Sequence, residues 1–339
     1  MLHSTSTLII LLSFAAVTVY GQKLAKPALS KSWTMPRTHD GQPDLQGNWT
    51  NATLTPLQRG LVNATTVERV TLPPITSLNV TEEQAQAIER RILDEGSFDR
   101  RDGGADNDVS RAYNNLFIDR GTELARVDGS KRTSLIIDPP EGRIPPLAPE
   151  AQRNIALRRP GFDRAADRPL GERCIVGFGS SSGPPMLPTG YNSNYQIIQT
   201  PGYVVILVEM IHDARVIRLN SAHAPPSVRQ WLGDSVGHWE GDTLVAETTN
   251  FNAQTRFSGA SANLRVIERF RRIDAGTILY RATIDDPAAF AKPWTIEYPF
   301  RSTPDPLFEY ACHEGNYALA DILAGARKTE ADEADATKR

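Results

Sequence analysis

The sequence predicts a mainly β protein: an antiparallel meander closing into a barrel or sandwich, with an irregular N-terminal wrap, two short helices and a C-terminal helix. Three observations carry this expectation. Runs of alternating apolar and polar residues follow one another from Tyr195 to Ala311. Such period-2 alternation puts one set of side chains on a covered face and the other toward solvent. The runs are joined by short links suited to hairpins, at Pro201-Gly202, Gly241-Asp242 and Asp274-Ala275-Gly276. At the centre lies Trp231–Phe251, where Leu244, Ala246 and Thr248 alternate with Val245, Glu247 and Thr249.

Taken in order, the chain opens with an apolar run, Leu8–Val17, of signal-peptide length and too short to span a bilayer. Val19-Tyr20-Gly21 places small residues for cleavage before Gln22, and no Cys lies near that point to suggest a lipoprotein. The segment before the run lacks Lys and Arg, so an uncleaved N-terminal anchor is the alternative. The expected plan is a signal peptide over 1–21, an irregular segment with short helices packing on the barrel over 22–173, the β core over 174–327 and a disordered tail over 328–339. This implies a secreted or periplasmic protein with no membrane span after signal removal. With 40 % hydrophobic and 23 % charged residues and a formal net charge of −3, the chain reads as globular. No basic stripe interleaved with aromatics points to nucleic acid.

Residues 22–60 are polar and marked by Pro and Gly, with Leu45 and Trp49 as the expected anchors. Asn48, Asn51, Asn63 and Asn79 each begin an N-glycosylation acceptor pattern. Thr81-Glu82-Glu83-Gln84 reads as a capping box, which predicts a helix through about Leu93 ending near Gly96. An exposed loop over 100–108 follows, then strands at 113–121 and 132–138, a second helix from Pro149 to about Leu157, and a charged connector to Arg173. Gly177–Pro188 lacks phosphate-loop spacing and reads as an irregular loop crossing the sheet's mouth. The strands from Tyr195 finish with Trp294–Phe300 and Leu307–Ala311, and Leu319, Ile322 and Leu323 set a helix over 316–326. Cys174 and Cys312 are the only cysteines. In an exported chain an isolated pair is most simply a disulfide; two buried thiols are the alternative.

The motifs RTSLIIDPP, EMIHDAR, WEGDTLVAETTNF and YACHEGNY resemble a family of exported, largely uncharacterised bacterial proteins. The resemblance covers most of the chain after the first 21 residues. It implies matched positions at Cys174, His212, Asp213, Cys312, His313 and Glu314, and none at His223 or His238. The central hairpin has a looser likeness to lipocalin-like barrels.

Two junctions concentrate ionisable groups. Glu209, His212, Asp213 and Arg215 share one link between strands, and His313 and Glu314 follow Cys312. A carboxylate beside a His fixes its tautomer and raises its basicity, as general acid–base work requires. The catalytic set expected is therefore His212, His313, Asp213, Glu209 and Glu314. The alternative is a solvated turn with a Glu209–Arg215 cross-strand pair. Tyr191, Asn192, Arg215 and Asn316 are the candidates for substrate binding. A divalent metal on His212, His313 and one carboxylate has less support, because no HxH or HExxH spacing occurs. The functional expectation is an exported enzyme acting on a small organic molecule or glycan fragment in a barrel-end pocket. A non-catalytic ligand-binding protein is the alternative.

Overall fold

The computed structural model describes residues 33–60, 75–97, 104, 115–157, 161–254 and 257–337. The expected signal peptide, most of the 100–108 loop and Asn63 lie outside them. The chain divides into two units at Trp33/Thr34, and all that follows concerns the second.

The N-terminal half holds β1 (Gly47–Thr50), β2 (Asn79–Val80), α1 (Glu82–Glu95), β3 (Arg126–Val127), β4 (Ser130–Arg132), β5 (Ile136–Asp138) and α2 (Pro149–Leu157). The remainder holds β6 (Asn194–Thr200), β7 (Tyr203–Val208), β8 (Ala214–Leu219), β9 (Asp234–Glu240), β10 (Thr243–Thr249), β11 (Arg265–Asp274), β12 (Thr277–Asp285), β13 (Trp294–Ser302) and α3 (Ala318–Ala336).

Nine strands form a closed barrel in the order β1-β6-β7-β8-β9-β10-β11-β12-β13, with β13 pairing back onto β1. Closure removes the unpaired edges an open sheet exposes. Alternation drives the interior: Ile278, Tyr280, Ala282 and Ile284 on β12 and Trp294, Ile296, Tyr298 and Phe300 on β13 are all fully buried. Helix α1 starts at the expected capping box, with Thr81 and Gln84 exchanging side-chain and backbone bonds. It packs Ala85, Ile88 and Ile92 against Leu54 and Leu124 in a small separate cluster. Among the described residues no helix is long and apolar enough to cross a membrane.

Several expectations need correction. The meander is not wholly antiparallel, because β8 and β9 run parallel, with Ile217 opposite Ser235. Tight hairpins yield only antiparallel pairs, but residues 220–233 are long enough to carry the chain back to the end where β8 began. The N-terminal wrap supplies a barrel stave: Trp49 lies opposite both Tyr195 and Ser302. Residues 307–311 form no strand, because β1 already occupies the position beside β13. Asn115–Phe117 makes one 3-10 turn with Leu116 and Phe117 exposed and no strand beside it. The strand expected over 132–138 shrinks to β5, which pairs only with the start of β13. The tail expected to be disordered continues α3 to Ala336, supported by i,i+3 and i,i+4 pairs such as Arg327–Glu330 and Lys328–Asp332.

Candidate functional site

The link between β7 and β8 is tight. Ile211 and His212 both adopt left-handed backbone, at φ 61° and 46°. A β-branched residue in that region is strained, and such strain gathers at functional turns. The turn sends its side chains apart. Glu209 is buried and accepts from Asn192 Nδ2 at 2.7 Å, Asn194 Nδ2 at 3.2 Å and the Phe308 amide at 3.2 Å. His212 is exposed. Asp213 is half-buried and accepts from Ser182 Oγ at 2.5 Å. Burial pushes its carboxyl up from the usual value, against hydrogen bonds from Ser182 and the Gly177 backbone.

The second junction is covalently stapled. Cys174 and Cys312 form a disulfide with Cα atoms 5.8 Å apart. Asn316 Nδ2 donates to Glu172 O at 3.4 Å and Cys174 Sγ at 3.5 Å. His313 and Glu314 are exposed. Tyr191 is half-buried beside Tyr310, whose hydroxyl burial pushes up to about 12, with help from the Tyr191 hydroxyl. Four clefts among the described residues are lined by none of Glu209, His212, Asp213, His313 and Glu314. A cleft of about 480 Å³ does gather Asn192, Cys312 and Asn316. Among the described residues no group of three His, Cys, Asp or Glu side chains is placed to hold a metal ion. Of the acceptor-pattern asparagines, Asn51 is buried and donates to Tyr195 OH and Tyr298 OH, Asn48 is half-buried and Asn79 is exposed.

Arg215 does not pair with Glu209. It follows the inward register of β8 and makes a two-pronged ion pair with Glu268 on β11, at 2.6 and 3.1 Å. Both side chains are almost fully buried. Tyr280 OH donates to Glu268 at 2.8 Å. The loop expected to cross the sheet's mouth instead enters the barrel. Three lumen tyrosines hold its backbone: Tyr195 OH donates to Ser181 O at 2.9 Å, the Met186 amide donates to Tyr280 OH at 2.9 Å, and Tyr298 OH donates to Met186 O. Met186 is fully buried, so this loop plugs the lumen. A lipocalin-style ligand chamber in the barrel axis is therefore filled by the chain itself.

One ligand-sized space lies beside the plug. A cleft of about 940 Å³ has an apolar lining from Phe178, Leu187, Trp231, Leu232 and Phe257. Ser180, Ser182 and Gln254 contribute polar groups, and Gly161, Asp163, Arg164 and Ala166–Gly171 form a wall with charged side chains at Asp163, Arg164, Asp167 and Arg168. A recess that sets apolar and aromatic walls beside a few polar and charged groups suits a small amphipathic molecule. The sequence reading overlooked these residues because they come from loops without periodicity; Trp231, an aromatic beside Gly233 just before a strand, was the one legible signal.

No family model, no curated protein and no solved structure matches this chain.

Proposed function

We propose that the chain is an exported protein that binds a small amphipathic organic molecule or glycan fragment in the 940 Å³ cleft. The observation that carries this reading is the pairing of an aromatic wall, Phe178, Trp231 and Phe257, with the polar groups of Ser182 and Gln254. Aromatic faces take an aryl ring or the C–H face of a sugar, and the polar groups orient it. The exposed His212 and His313 take no part in this binding. Titrating the protein with anilinonaphthalene sulfonate and, separately, with a p-nitrophenyl glycoside tests the reading. Saturable one-site binding is expected, weakened at least tenfold in Trp231→Ala with an unchanged melting temperature. Absent saturation with both probes, or indifference to the substitution, removes the proposal.

One observation favours an enzymatic version. Ser182 lines the cleft and donates a hydrogen bond to Asp213, whose carboxyl burial pushes up from its usual value. In that version Asp213 acts through Ser182 on the bound molecule. A screen of p-nitrophenyl esters and glycosides, with turnover lost in Asp213→Asn and binding kept, identifies it. Binding without turnover of any member leaves the non-catalytic version.

A further inference from the structure

The segment 161–176, which supplies much of the cleft lining, is attached to the rest of the molecule in an unusual way. Its hydrogen bonds among the described residues fall into two groups. The first is internal: Arg168 clasps Glu172 and donates to Gly161 O, Arg164 clasps Asp167, Arg173 donates to Ala166 O, and the Ile175 amide donates to Leu170 O. The second goes to the C-terminal arm. Asn316 bonds Glu172 O and Cys174 Sγ, and Arg327 on α3 bonds Phe162 O and Asp163 O. Among the described residues none joins a barrel strand. The arm in turn is tied to the barrel end through the Phe308 amide and Glu209. Helix α3 buries none of its residues, so packing holds it weakly. Beside those few hydrogen bonds, the Cys174–Cys312 bond is the covalent joint between these two lightly anchored pieces.

We infer that the Cys174–Cys312 disulfide is a redox lock on the cleft: a dithiol that reduces it frees the 161–176 wall and opens the site while the barrel stays folded. The inference rests on the cleft being the ligand site. The two sulfurs are not equivalent. Cys174 is buried at 8 % exposure, whereas Cys312 is half-buried, with exposed Phe308 and Tyr317 nearby in the chain. The incoming thiolate attacks Cys312 Sγ, and the S–S bond breaks with its electron pair passing to Cys174 Sγ. Asn316 Nδ2 donates to that sulfur and stabilises it as a leaving thiolate. The second thiol of the reductant then attacks its own mixed disulfide. This releases Cys312 as a thiolate and leaves the reductant as a cyclic disulfide; each protein thiolate takes a proton from water. Two electrons pass from the dithiol to the protein.

Limited trypsin digestion of the full chain with and without millimolar dithiothreitol tests the lock. Arg164, Arg168 and Arg173 are the reporters within the wall, and near-ultraviolet circular dichroism reports the barrel aromatics. Reduction should speed cleavage at these arginines at least tenfold with the near-ultraviolet spectrum retained. The Cys174→Ser/Cys312→Ser variant should be cut at the fast rate whether or not dithiol is present. Unchanged cleavage in the reduced protein and the double variant overturns the lock. Loss of the near-ultraviolet spectrum with cleavage spread through the barrel also overturns it, since the bond would then staple the whole fold. Substoichiometric oxidised glutathione, added to the reduced protein, should mark Cys312 first; marking of Cys174 first overturns the assigned direction of attack. The probe titrations of the oxidised protein are read separately: should they fail while cleavage responds to reduction, the lock stands and the ligand reading falls.

Discussion

Arg215 and Glu268 carry full charges into a space walled by Tyr195, Tyr280 and Tyr298, and each depends on the other for its solvation. Burial alone lowers the Arg215 pKa, yet the facing Glu268 outweighs it and holds the guanidinium above its ordinary value. Removing one partner of such a pair leaves a stranded charge, at a cost of about 3–5 kcal/mol; replacing both with apolar side chains is close to neutral. Urea denaturation should therefore show a loss of about 3–5 kcal/mol in Arg215→Met and a much smaller one in Arg215→Met/Glu268→Leu. Asp234 makes a second charged cluster. Burial pushes its carboxyl up, but bonds from Arg218, the Ala224 amide and His223 outweigh this and hold it at about 2, below the ordinary 3.8. A depressed carboxyl contributes stability that is complete above its unfolded pKa near 4 and is lost as pH falls through 2. The contribution is about 2 kcal/mol at neutral pH. Asp234→Asn should lower stability by about that amount at pH 7 and flatten its decline between pH 4 and pH 2. These residues were partly legible. Arg215 stands in the inward register with Ile217, and Glu268 between Val266 and Phe270, yet the sequence pointed Arg215 at Glu209 or a ligand and nothing local singled out Glu268. Which charge met which depended on pairing two strands 53 residues apart.

Strands β6 to β13 followed their alternation closely, because each has a neighbour joined by a short link or a long apolar run. The elements that were misread lack that local information. β1 is only Gly-Asn-Trp-Thr, too short to display a period, and its partners lie far along the chain. The parallel contact of β8 and β9 left its mark instead at one glycine. A Cβ at Gly237 would stand 2.8 Å from Ile217 Cγ2 and 2.9 Å from Val245 O, so a methyl group forces the strands apart. Overpacking of this kind costs about 1–3 kcal/mol. Gly237→Ala should lower the unfolding free energy in urea by about 1–3 kcal/mol. The plug could not be read in advance, because Gly177–Pro188 holds the lumen through backbone atoms, which any sequence possesses. What was readable was the lumen's side of the contact: three tyrosines at buried positions, each needing a partner for its hydroxyl.

The whole barrel depends on one seam. Trp49 is 1 % exposed and stands where β1 meets β6 on one side and β13 on the other, with its indole donating to Leu45 O at 3.0 Å. Truncation of a buried Trp costs about 3–5 kcal/mol. Trp49→Ala should cost at least that in urea unfolding, with protection from amide exchange falling in β6 and β13 together, because opening the seam exposes both edges. The seam also orders events in time. A chain made from its N-terminus presents β1 early; it can join β6 some 150 residues later, but its second edge stays open until β13 exists, some 250 residues along. Through that interval β1 and the growing sheet each carry an unpaired edge. Completion of the cylinder then waits on a pairing between distant parts of the chain, which is slow to find. The interval in which this protein is open to wrong partners is thus set by the distance along the chain from Trp49 to Ser302, and the last contact made is the one that gives the molecule its shape.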